Sequence, residues 1–109
     1  MGFAASSARL YMLLARKMDL EFQLQQINQA RLRLTNVLDK LYASAQSLEP
    51  ENPAVVLQEQ FMERVQNQDK RLELIANRIQ LQHQAITTEV DGLRKIISKS
   101  IESTFKLQA

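Results

Sequence analysis

Between Phe3 and Glu49 the chain has neither glycine nor proline, and apolar residues recur there at alternating steps of three and four. The stripe runs Leu10, Leu13, Lys17, Leu20, Leu24, Ile27, Arg31, Leu34, Leu38, Leu41, Ala45, Leu48. Only Lys17 and Arg31 interrupt it. Residues at this spacing fall along one seam of a helix, and such a seam needs a second helix to cover it. The expectation is a helical rod that works through its surfaces.

Two glycines, two prolines and no tryptophan or cysteine agree with that reading, because long-helix proteins avoid residues that break or bend a helix. No alternating β-branched run is bounded by a turn dipeptide, so strands are not expected. The lack of cysteine excludes disulfides and thiolate metal sites and suits either an exported or a cytosolic protein. The net charge of +2 is weak. It divides into about +3 before Glu49 and about −1 from there on, with acids and bases interspersed, which is not the footprint of a dedicated nucleic-acid binder.

The one interior turn signal is Leu48-Glu49-Pro50-Glu51-Asn52-Pro53. Pro50 stops the first helix because the residue before a proline is pushed out of the helical region. Asn52 suits an N-cap, and Pro53 suits the first helical position, where its missing N–H costs nothing. One short connection between two long helices predicts an all-α antiparallel hairpin. The reading is a single domain over 1–109, with a helix over about 4–47, a turn over 48–52 and a helix over about 53–106. Ser6 or Ser7 is a candidate cap for the first helix.

For the second helix the greasiest stripe reads Gln58, Phe61, Val65, Gln68, Leu72, Ile75, Ile79, Gln82, Ile86. It continues through Val90, Leu93, Ile97, Ile101 and Phe105 at steps of four. That change of step is a stutter, which unwinds a left-handed coil locally. Gly92 lies in this part, where it is either a tolerated glycine, a point of close packing or a hinge. Lys17 and Arg31 are expected to snorkel from the seam or to pair with acids across it. A further option sets them against Gln68 and Gln82.

Catalysis is not expected. His83 is the only histidine and sits between Gln82 and Gln84, which reads as a surface or seam residue. The serines lack a nucleophile elbow, and no phosphate-cradling glycine loop occurs. No catalytic, cofactor-binding or metal-binding residue is assigned. The basic set Arg94, Lys95, Lys99 and Lys106 is explained by favourable charge near a helix C-terminus.

Both ends carry more apolar residues than one seam uses. Tyr11, Leu14, Met18 and Phe22 form a second stripe beside the first, and Ile96 accompanies Leu93, Ile97 and Ile101. Surplus of this kind marks an association surface. Leu10, Tyr11, Leu14, Met18, Phe22, Leu93, Ile96, Ile97, Ile101 and Phe105 are therefore the candidate assembly residues, with copies of the chain as expected partners. No segment reaches the ~20 apolar residues of a membrane span. The apolar run Leu10–Ala15 is too short for a secretory signal, so any export is expected to use a route without a cleavable one.

Leu38-Asp39-Lys40-Leu41, followed by Pro50-Glu51-Asn52-Pro53-Ala54-Val55-Val56-Leu57-Gln58, resembles the inter-helix region of type III secretion needle subunits. The stretch from Lys95 through Ile101 to Phe105-Lys106 is similar to their terminal helix. The resemblance implies a secreted hairpin that polymerises into a hollow filament with the terminal helix toward the centre. It covers about half the chain. The gap before the turn and the second helix are longer here, and Met1–Leu10 does not match. That opening is similar instead to small bacterial helical proteins beginning Met-Gly-x-Ala-x-Ser-x-Ala-Arg, a likeness with no function attached. The expected function is a self-assembling structural subunit, most concretely a filament or needle-like protein at the cell surface or outside it. The alternative is a cytosolic coiled-coil adaptor or export chaperone that binds one protein partner.

Overall fold

A computed structural model describes residues 2–108. It contains two helices, α1 (Phe3–Gln46) and α2 (Pro53–Gln108), which run antiparallel. Between them the chain turns in six residues. The Ser47 hydroxyl donates to the Ser44 carbonyl at 2.7 Å, and the Leu48 N–H donates to that of Ala45 at 3.2 Å. These bonds occupy carbonyls that the end of α1 leaves open. Asn52 then caps α2 as expected: its Oδ1 accepts from the Ala54 N–H at 3.0 Å, and Pro53 takes the first helical position. Ser6 and Ser7 cap nothing. The first helix already begins at Phe3, and Ser6 lies buried within it, its N–H donating to the Gly2 carbonyl.

The chain divides into two units that share both helices, one of residues 1–23 with 79–109 and the other of residues 24–78. In the first unit the seam is tightly closed. Leu13, Leu20, Ile79, Ile86, Val90 and Leu93 are each at most 9% exposed. In the second, only Val65 and Ala76 among the apolar residues reach that degree of burial. Other seam residues there, Ile27, Leu34, Leu38, Leu41 and Leu72 among them, are half-buried.

All twelve residues of the α1 stripe are buried or half-buried. The α2 stripe differs from its expected course. Phe61, Gln68, Ile75 and Gln82 are exposed, and Met62, Asp69, Ala76 and His83 take the seam in their place. The resulting series is Val55, Gln58, Met62, Val65, Asp69, Leu72, Ala76, Ile79, His83, Ile86, Val90, Leu93, Ile97, Ser100. It is an unbroken heptad pattern. The expected stutter is absent, and Ile101 and Phe105 lie outside the seam and are exposed. The reason is continuity: a seam can keep facing its partner only if the same repeat holds throughout. A few polar members cost less than a change of phase.

Gly92 is helical and exposed, and a Cβ built on it meets nothing within 4 Å. It is neither a close-packing point nor a break in the helix.

Candidate assembly interface

Several polar members of the seam find partners on the facing helix. In the second unit the Arg31 Nε donates to Asp69 Oδ1 at 2.9 Å, and its Nη2 lies 3.9 Å from Glu73. This is the pairing with acids that the stripe predicts, and Gln68 plays no part in it. The hydrogen bond to Asp69, aided by the two carboxylate charges, raises the Arg31 pKa above its ordinary value. A raised pKa means the stability tied to the charged guanidinium is lost as the pH rises through its alkaline titration. Nearer the turn, the Gln58 side-chain amide donates to the Ser44 hydroxyl at 2.9 Å.

In the first unit Arg9 pairs with Glu89 across the helices. His83 lies in the seam with Nε2 2.9 Å from Glu21, so a carboxylate that is distant in sequence is its neighbour in space. Lys17 is half-buried, and none of the ion pairs among the described residues includes it. The Ser6 hydroxyl is buried with no hydrogen-bond partner among the described residues.

The candidate assembly residues fall into three groups. Leu93 is 5% exposed and belongs wholly to the seam, so it offers no surface. Leu10, Leu14 and Ile97 are half-buried at its edges. Tyr11, Met18, Phe22, Ile96, Ile101 and Phe105 are exposed, at 47–75%.

The apolar end of α2 continues past the start of α1. Phe3, the first helical residue, lies against Ser100, Ile101, Thr104 and Phe105, and every residue from Ile101 to Leu107 is exposed. Arg9 pairs at Glu89, and of α1 it is Phe3, its first residue, that lies against the end of α2.

Exposed apolar side chains also occur where the sequence reading did not place them. Met12, Leu32, Tyr42, Leu57, Leu74 and Leu81 are all at least half exposed. Their signal was present as apolar residues left over once an unbroken heptad seam is drawn. No helix is long and apolar enough to cross a membrane, and no cluster of three or more metal-ligating side chains occurs among the described residues. The chain matches no protein-family model, no curated protein and no solved structure. The likeness to needle subunits is thus carried by the quoted motifs alone, and what stands of it is the antiparallel two-helix hairpin.

Proposed function

We propose that the protein is a self-assembling structural subunit, most concretely a needle-like helical filament protein at the cell surface or outside it. One observation carries the reading. Among the described residues eighteen large apolar side chains are exposed, against eight apolar residues that are buried; much of the chain's apolar surface is therefore left for other molecules.

The total surface agrees. The chain exposes 8561 Å², while a compact monomer of 12.5 kDa exposes about 6,200 Å². The excess of roughly 2,400 Å² is of the size that obligate subunit interfaces bury. Burying the large exposed side chains at the free end of α2 against neighbouring copies offsets the shortage of core in a two-helix fold. Contacts that join unlike surfaces and do not close generate fibres. Ile101, Phe105 and Leu107, exposed at 53–88%, supply one half of such a contact.

The test is negative-stain microscopy and light scattering of concentrated protein, beside an Ile101→Lys/Phe105→Lys variant. Wild type should form extended particles, and the variant should not, while keeping its helical circular dichroism. Small closed particles from wild type would favour an adaptor or chaperone that caps one partner. Extended particles from the variant would remove the α2 end from the contact.

A further inference from the structure

The back of α1 in the first unit, turned away from α2, carries a second heptad pattern. Ala4, Ala8, Tyr11, Ala15, Met18 and Phe22 follow one another at steps of four and three, and all six are exposed. Tyr11 is 72%, Met18 69% and Phe22 58% exposed. No charge interrupts the series. The corresponding outer face of α2 in the same unit reads Gln84, Thr88, Asp91, Lys95, Ser98 and Glu102, all exposed and half of them charged. One helix therefore has a solvated back and the other does not. The same contrast shows along whole helices: α2 is clearly amphipathic, whereas apolar residues on opposite sides of α1 leave it with almost no preferred face, although both helices line one seam.

We infer that this second stripe is a dimerisation seam, covered by the same stripe of a second copy running antiparallel about a two-fold axis. The inference rests on the self-assembly reading and names its first contact. Side-chain size selects the occupant. About an axis at the level of Leu13, antiparallel pairing sets Phe22 against Ala4, Met18 against Ala8 and Tyr11 against Ala15. Every large side chain then meets an alanine, and each of the three layers joins the two kinds of stripe position, as antiparallel coiled coils require.

Parallel pairing would instead stack Tyr11 on Tyr11, Met18 on Met18 and Phe22 on Phe22, with gaps at the alanines between them. Such uneven layers pack poorly. Flanking residues agree with the antiparallel choice. Leu14 on one side and Met12 on the other fall near the axis, each beside its own copy. Glu21 comes opposite Ser7 and Asp19 opposite Ala5, so no like charges meet.

The paired length is about 27 Å. Burial of two aromatic rings, Met18 and the alanines amounts to on the order of 500 Å² per protomer. Doubled, this reaches the lower limit for a specific protein interface. The contact suits a building block whose further growth uses other surfaces, and it leaves the free end of α2 open.

Sedimentation equilibrium and engineered cysteines test the pairing, since the native chain has no cysteine. Ala15→Glu, at an exposed position, should weaken dimerisation by roughly 30-fold or more with unchanged helical content. Thr88→Glu on the outer face of α2 should leave it unaltered. A mixture of Ala4→Cys and Phe22→Cys chains should form the mixed disulfide readily, while Ala4→Cys alone should not, because its two copies stand about 27 Å apart. Self-linking of Ala4→Cys would show a parallel pair and overturn the inference. So would an Ala15→Glu protein that dimerises as wild type does, and in that case self-assembly itself would stand. A wild type that stays monomeric at millimolar concentration would overturn both.

Discussion

The two units are built from the same pair of helices and the same repeat, yet they differ in how they hold together. Residues 1–23 with 79–109 supply six of the eight buried apolar side chains; residues 24–78 supply two. Both units have polar contacts between the helices: Arg9 with Glu89 and His83 with Glu21 in the first, Arg31 with Asp69 and Glu73 and Gln58 with Ser44 in the second. A half-open seam stabilises little, since burial energy scales with apolar area removed from water. The lesson is a division of labour. The first unit holds most of the apolar burial, and in the second polar contacts make up a larger share of what joins the helices.

Truncation at matched stripe positions breaks or sharpens this comparison most strongly. Leu20→Ala, in the first unit, should cost about 2–4 kcal/mol, whereas Leu34→Ala, half-buried in the second, should cost about half as much. Urea titrations at one fixed low concentration measure both, and equal losses would refute the division.

Next in size is the ion pair. Arg31→Met leaves Asp69 half-buried without its partner and should lower the urea midpoint, by less than Leu20→Ala does. The double change Arg31→Met/Asp69→Leu should recover most of that loss, as read from the same titrations.

Gly92→Ala should raise stability by about 1 kcal/mol, because the position is helical, open and free of contacts. A loss there, seen as a lowered thermal midpoint, would mean the glycine serves a bend. The smallest effect is expected at Ser6. Replacing its unpartnered buried hydroxyl by alanine should gain about 0.5 kcal/mol, whereas a clear loss would indicate a hydrogen bond absent from this arrangement.

The fold was legible in the sequence to the extent that single residues had no competitors. Pro50, Asn52 and Pro53 admit one reading, and the turn lies there. On α1 the leucines recur so regularly that no other phase is available. On α2 two adjacent phases compete. Phe61 and Ile75 are greasier than Met62 and Ala76, so hydrophobicity alone selects the wrong one. Stepping back by sevens from Val90, Leu93 and Ile97 leads instead to Asp69, Ala76 and His83. The seam accepts Asp69 because Arg31 compensates its charge, a condition that exists only once the helices are paired.

The assembly residues were partly legible for a related reason. Tyr11, Met18 and Phe22 are visible as surplus. Ala4, Ala8 and Ala15 acquire meaning only when the exposed side of the helix is known. Leu93 stands in the sequence both on the stripe and among the candidate assembly residues, and only the seam's true phase shows that it turns wholly inward.

The Arg31–Asp69 contact has a consequence for how the hairpin finds its alignment. Aliphatic heptads are nearly interchangeable, so sliding one helix past the other by seven residues would cost little in grease alone. Within the second unit, such a slip brings Arg31 opposite Met62 or Ala76 and strands Asp69 opposite Leu24 or Leu38. Each error leaves a charge facing hydrocarbon. One charged layer therefore acts as a detent, stopping an otherwise slippery ratchet at a single notch.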